Sequence, residues 1–320
     1  MPIWKRIEDT DSGFAYSLSD AMSLLDWRFP GFLQPVTNGR MIVASDYSGQ
    51  HRRASHEAYT FLITTESELE RWIVERDRFR KQWLPDGRRL SFKELRDGMK
   101  WRAIFPFLEV AFGLRGNLVT VLIDRKVGSF FGGSTKEMVE IYSDCFPNET
   151  PNGTVEKMVR LATIKAMLLV GFRRETQPSW WISDNDETLD TYDKREGLAR
   201  LAAYFTYGFS KWKQPAEVSF GTTGFESAPT WAEDLVAIPD LLSGTLSALS
   251  NVLPKSFGGQ EASTRVVSSN SAENDRARQI LTWVGEKERP LRNILLRMER
   301  NDSDEVRASY QFIVRNIRSQ

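Results

Sequence analysis

Asp46 closes the apolar run Met41-Ile42-Val43-Ala44-Ser45 and leads straight into Tyr47-Ser48-Gly49. A strand that delivers a carboxylate into a Ser-Gly turn puts charge at a sheet edge, where ligand and metal chemistry is commonly built. Far downstream, Ala237-Ile238-Pro239-Asp240-Leu241-Leu242-Ser243-Gly244 places a second carboxylate near the start of an apolar helix. A carboxylate beside so much apolar surface is costly unless it is paired, hydrogen-bonded or bound to metal. Asp124 ends the branched run Leu118–Ile123, and Asp184-Asn185-Asp186-Glu187 follows Trp180–Ser183. Plainer readings exist for each. Asp46 can cap a turn, Asp124 can pair with Arg125 or Lys126, and Asp240 can sit at a helix start favoured by the dipole. The 184–187 cluster is either a solvated loop or a further ligand group, with Asp186 preferred to Asp184.

These residues need elements to hold them. The chain predicts a short helix over Ser19–Trp27, strands over Arg40–Ser45 and Ala58–Thr64, and a helix over Glu66–Trp83, where Leu69, Trp72, Ile73, Phe79 and Trp83 recur at helical spacing. A third strand is placed at Leu90–Phe92, then a helix over about 93–112 and the buried strand Leu118–Ile123. Helices follow at Glu137–Phe146, Val155–Val170 and Leu189–Phe209, with strands at Trp180–Ser183 and Glu217–Phe220. Trp231–Leu253 is one helix or two, since Pro239 fits a first turn better than an interior. The whole is an α/β fold with a mixed sheet flanked by helices. Residues 1–40 form an irregular lead-in and 41–254 the α/β domain. Residues 255–272, rich in Ser, Gly and Asn, form a linker, and 273–320 a helical C-terminal extension with helices near Glu273–Glu286, Pro290–Arg300 and Ser303–Arg318.

Composition narrows the chemistry. The chain has 320 residues, 41% hydrophobic and 27% charged, which is the make-up of a folded protein with a sizeable core. Formal net charge is zero, so no global field favours nucleic acid. Between Arg71 and Arg102, however, eleven Lys/Arg face five acids, and that local excess either contacts phosphates or forms a solvated helix face. One cysteine excludes a disulfide framework and, with two histidines, makes a poor zinc set. No P-loop or nucleophile elbow is present. No run approaches transmembrane length, so the expectation is a cytoplasmic protein without membrane contact.

Asp46-Tyr47-Ser48-Gly49 resembles the strand-one "D-E-S-G" signature of the ribonuclease H-like proteins of domain-of-unknown-function family 3800. Val119-Thr120-Val121-Leu122-Ile123-Asp124-Arg125-Lys126 is similar to that family's apolar strand ending in "D-K", and Pro239-Asp240-Leu241-Leu242-Ser243-Gly244 to its late "A-D-L-L-A-G" helix. The matches fall in order over roughly residues 40–250, with Tyr47 in place of Glu and Pro239 in place of Ala. The resemblance implies a ribonuclease H-like sheet in which the Asp46 and Asp124 strand ends lie side by side and the Asp240 helix crosses them. Asp46, Asp124 and Asp240, with Asp186, would then hold Mg²⁺ or Mn²⁺ for phosphodiester hydrolysis. Asp184 and Glu94, the latter where this architecture offers a helix-borne Glu, are supporting candidates. Arg78, Arg88, Arg89 and Lys93 would hold nucleic-acid phosphates. The rival reading is a catalytically inactive module on the same fold that binds nucleic acid or a protein partner, with the C-terminal helices as a surface for a partner or for self-association.

Overall fold

Met41–Ser48 (β1) forms a strand that is buried on both faces, and this explains its unbroken apolar run. In the computed structural model of the chain, described for residues 2–7, 13–49, 54–130, 133–147, 150–186, 188–210, 217–223, 230–251, 253, 263–265, 275–285, 288–300 and 305–314, helix α1 (Gly13–Arg28) precedes β1. Strand β2 (His56–Thr65) and helix α2 (Glu66–Trp83) follow, then α3 (Gly98–Gly113) and β3 (Gly116–Asp124). The next elements are α4 (Thr135–Ile141), α5 (Asn152–Phe172), β4 (Ser179–Ser183), α6 (Tyr192–Ser210), β5 (Val218–Thr222) and α7 (Thr230–Leu249). The chain closes with β6 (Ser263–Arg265), α8 (Asp275–Val284), β7 (Leu291–Arg300) and β8 (Val306–Val314).

The expected α/β class is observed: one mixed sheet has the order β5-β4-β1-β2-β3-β7-β8, with short β6 paired beyond β8. β1, β2 and β3 are antiparallel neighbours, whereas β4 joins β1, β5 joins β4 and β7 joins β3 in parallel. The carboxyl ends of β1, β3, β4, β5 and β7 therefore share one edge. Side chains alternate across the sheet. Met41 and Val43 enter a core shared with α1, α5 and α6, while Ile42 and Ala44 enter one shared with α2, α3, α7 and α8. Asp46 consequently points to the α7 side and Tyr47 to the α5 side.

Several expectations are corrected. Leu90–Phe92 is not a strand; it leads into the single 3₁₀ turn Phe92–Glu94, and α3 starts at Gly98, where the Asp97 carboxylate accepts from the Met99 and Lys100 amides at 2.7 and 3.2 Å. The third antiparallel strand is β3 instead. α7 runs unbroken with Pro239 inside it. Among the described residues, the C-terminal extension is not helical beyond α8: the strands β7 and β8 stand where helices were expected at Pro290–Arg300 and Ser303–Arg318. β7 pairs with β3 over eight residues, Gly116↔Leu291 through Ile123↔Met298, so the segment after residue 254 completes the central sheet. Within the expected linker, Ser263–Arg265 form β6; its remaining residues lie outside those described. Nor are residues 1–40 a loose lead-in, because Trp4, Ile7, Leu33 and Val36 are buried in the α1–α5 core. The Asp26 carboxylate accepts from the Ile3 and Trp4 amides at 2.6 and 2.8 Å, fixing that segment to α1.

Candidate functional site

Asp240, Ser243 and Gly244 share one face of α7, at i, i+3 and i+4, and Ser243 meets β1 there. The Ser243 hydroxyl donates to Asp46 Oδ2 at 2.6 Å and lies 3.1 Å from the Asp240 carbonyl oxygen. Asp240 Oδ2 accepts from the Phe92 amide at 2.6 Å. A Cβ at Gly244 would stand 2.3 Å from the Phe92 ring, so only glycine admits this approach. Gly49, at φ +90°, is required for a similar reason: its Cβ would meet the His56 carbonyl at 2.4 Å. The two motif glycines thus bring Asp46, Asp240 and the 92–94 turn together.

Burial pushes the Asp46 carboxyl well above the usual carboxylate range, and the Asp240 charge adds to it against the opposing Ser243 hydrogen bond. Asp184 and Asp186 push it up further. Burial also raises Asp240, to about 6, with Asp184 adding and the Phe92 amide, Arg89 and Lys93 opposing. The other two acids have cations. Asp184, whose amide donates to the Ser45 carbonyl at 3.2 Å, is ion-paired with Arg89 and accepts from Thr223 Oγ1 at 2.8 Å. Burial works to raise its carboxyl, but Arg89 and these hydrogen bonds outweigh it and hold it below the usual range. Asp186 is ion-paired with Lys157 of α5 and accepts from the Thr188 amide at 2.8 Å.

Asp46, Asp184, Asp186, Asp240, Glu94, Arg89 and Lys93 all line one cavity of about 1170 Å³ at the carboxyl edge of β1 and β4. Glu94 is half exposed and paired with Lys100 at 2.5 Å; it sits on the 3₁₀ turn, not on a helix. Asp124 is not part of this site, which corrects the expected three-acid cluster. β2 lies between β1 and β3, and the β3 residue level with Asp46 is Thr120, through the pairs Asp46↔Thr60 and Thr60↔Thr120. Asp124 is four residues beyond, about 13 Å along the strand, where it accepts from the Lys126 amide at 2.9 Å as a turn cap. Arg78 and Arg88 are also absent from the cavity wall. Arg78 pairs with Glu75 at 2.5 Å, and Arg88 with Asp86 at 2.6 Å and Asp97 at 3.3 Å. Much of the basic run between Arg71 and Arg102 serves structure: Arg76 and Arg80 both close on the buried Asp234 of α7.

The cavity has cations that sequence reasoning missed. Lys157 and Arg160 project from α5, and Arg160 Nη1 pairs with Glu57 at 2.7 Å while its Nε pairs with Glu156 at 3.0 Å. Their signal was two cations three residues apart in a helix otherwise rich in apolar residues, an expensive arrangement unless they face polar partners. Tyr47 lies between, its hydroxyl 2.9 Å from Ser45 Oγ and 2.6 Å from Ser183 Oγ. Among the described residues, no three His, Cys, Asp or Glu side chains are placed to hold one ion between them. Among the described residues, the aspartates that face the cavity without a salt bridge are Asp46 and Asp240. Such an all-oxygen pair fits Mg²⁺ or Mn²⁺ of the kind held by one or two carboxylates, with waters and substrate phosphate completing the shell.

Among the described residues, no helix is long and apolar enough to cross a membrane. No protein-family model matches the chain, and no curated protein matches it.

Proposed function

We propose that the protein is a divalent-metal-dependent nuclease that hydrolyses phosphodiester bonds at the Asp46–Asp240 site, working in the cytoplasm. One observation carries this reading: two carboxylates, both raised by burial and by the charge of neighbouring aspartates and, among the described residues, neither in a salt bridge, face a large cavity whose wall also carries Arg89, Lys93, Lys157 and Arg160. Two like charges in that setting disfavour the metal-free ionised state, and a bound cation relieves them. Asp46 and Asp240 would hold the ion. When bound, it neutralises charge on the phosphoryl oxygens and acidifies a water. Lys93 and Arg89 on the cavity wall hold and orient the phosphate backbone. The ordered resemblance of the Asp46, Asp124 and Asp240 segments to the ribonuclease H-like family supports the same chemistry, with Asp124 serving as a turn cap in this chain.

The expected outcome is hydrolysis of single- or double-stranded DNA or RNA in Mn²⁺ or Mg²⁺, with both Asp46→Asn and Asp240→Asn lowering the rate by at least about 100-fold, the scale of a lost transition-state charge contact. The absence of any three-acid cluster among the described residues favours a second reading, a module that binds nucleic acid without cleaving it. Metal-independent binding with no hydrolysis of any of these polymers would establish that second reading in place of the first.

A further inference from the structure

A second cavity opens at the opposite edge of the sheet. β7 runs parallel to β3 and β1, so its start at Leu291 lies away from the carboxyl ends that carry Asp46. Among the described residues, its ladder with β8 runs from Leu295↔Gln311 to Arg300↔Val306, while Phe312–Val314 pair with β6 instead. The two strands therefore part over Leu291–Ile294. A cavity of about 420 Å³ lies there, within the size range of small-molecule sites. It shares no lining residue with the Asp46–Asp240 cavity.

Its walls are aromatic, with cations set into them. Phe29, Phe32 and Phe312 line it, and Phe312 meets the other two rings edge to face at 4.9 and 5.2 Å. Arg289, 8% exposed, stacks on the Trp283 ring at 3.4 Å, and Arg292 lies 5.5 Å from the centre of the Phe32 ring. One end of each guanidinium is taken: Arg289 Nη1 pairs with Glu109 at 2.9 Å, and Arg292 Nη1 pairs with Glu288, at the cavity wall, at 3.1 Å. Both acids are mostly exposed, which weakens these pairs. Among the described residues, Nε of each arginine is buried without a hydrogen-bond partner, and so are both ends of the Asn293 amide. A buried polar group left unpaired is costly, and three side chains of this one cavity carry such groups.

We infer that this cavity binds a small planar ring carrying a carboxylate or phosphate, with the ring packed among Phe29, Phe32 and Phe312 and the anion on the open Nε edge of Arg292. That edge of a guanidinium takes two oxygens side by side, and stacking on Phe32 holds it in orientation. The phenylalanines favour a flat π-system. Arg289 and the Asn293 amide offer two kinds of donor and one acceptor to the polar substituents of such a ring. A bare inorganic anion would leave the aromatic wall uncovered, and an uncharged ring would leave the guanidinium edge unmet. The inference stands apart from the nuclease reading.

Calorimetric titration of the full-length chain tests this with two matched pairs of probes: benzoate against acetate, and adenosine monophosphate against inorganic phosphate. At least one ring-bearing anion should bind one per chain, and at least about tenfold more tightly than its ringless counterpart. The pair that shows the difference tells a carboxylate ligand from a phosphate one. Arg292→Gln, which removes the fork, should weaken that binding at least about tenfold, the scale of a lost charge-assisted hydrogen bond. Phe32→Leu is carried alongside and should weaken it too, and whichever variant retains the wild-type circular dichroism is read. Failure of both ring-bearing anions to bind, or equal binding of ring-bearing and ringless probes, would overturn the inference. So would binding that the folded variant leaves unchanged. Binding that is weakened by Lys93→Gln but not by Arg292→Gln would place the probe in the Asp46–Asp240 cavity and overturn it as well.

Discussion

Asp240 and Lys165 make opposite demands on the fold. Asp240 titrates near 6, where a free aspartate titrates near 3.8. The native state therefore holds this proton more tightly than the unfolded chain does, so stability falls as pH rises from about 4 to 6 and stays lower above that. Asp240→Asn keeps an oxygen to accept from the Phe92 amide but removes the charge. In the absence of metal it should stabilise the protein by roughly 2 kcal/mol at pH 7, with the gain vanishing near pH 4. Denaturant titrations at the two pH values check this, and a variant less stable than wild type at pH 7 would make the acid structural. Lys165 is buried against the Trp181 ring at 5.4 Å, and desolvation lowers its ammonium to about 7, with Arg173 adding to the effect. The unfolded chain binds this proton more tightly, so the penalty is full below pH 7 and fades as pH rises toward 10.5. Lys165→Met should stabilise by roughly 3–5 kcal/mol at pH 6 and by little at pH 10. At this scale the sequence revealed Asp46 and Asp240, because a carboxylate amid apolar residues is conspicuous. It misplaced Asp124, since a strand-end aspartate has the same neighbours whether it caps a turn or faces a site. Lys157 and Arg160 stayed hidden because their partners Asp186, Glu57 and the Gly128 carbonyl are brought in only by the fold.

The elements show where periodicity informs and where it does not. α2 was legible to its ends because Leu69, Trp72, Ile73, Phe79 and Trp83 recur at helical spacing, and Leu69, Trp72 and Phe79 of that set are buried. β7 was not legible: Ile294, Leu296 and Met298 enter one core while Leu291 and Leu295 enter the other, and a strand buried on both faces gives an apolar run that also fits a helix. β8 did carry a signal. Val306, Ala308, Tyr310 and Phe312 alternate with Arg307, Ser309 and Gln311, a strict period of two that packs against the core under α1. Because β7 covers the full length of β3, truncation after residue 254 would bare a buried apolar edge. The 1–254 fragment should be aggregated or unfolded by circular dichroism and size exclusion, whereas a soluble, folded fragment would show that β7 is dispensable. At α7, Gly244→Ala drives a methyl into the Phe92 ring and should cost about 1–3 kcal/mol, as well as shifting the Phe92 amide away from Asp240.

Across the molecule, zero net charge conceals a division of labour among the cations. The eleven Lys/Arg between Arg71 and Arg102 resemble a phosphate-binding surface in sequence, but folding sends them in two directions. Arg76 and Arg80 clamp α2 to Asp234 of α7, and Arg78 and Arg88 pair with acids of their own neighbourhood. Arg89 and Lys93 alone of the four expected phosphate contacts reach the cavity, where they meet Lys157 and Arg160 from the other side of the sheet. On the proposed nuclease reading, a nucleic-acid backbone entering the cavity would meet cations from both sheet faces, and counterion release should depend on those wall residues. Lys93 is exposed at the cavity rim, so Lys93→Gln changes charge without disturbing the core. It should weaken binding of any polynucleotide sequence alike and reduce the slope of log affinity against log salt by about 1. The double variant Arg78→Gln/Arg88→Gln should leave that slope where it was. If the double variant flattens the slope and Lys93→Gln does not, the polymer lies on the outer face of α2, and the cavity is not its binding site.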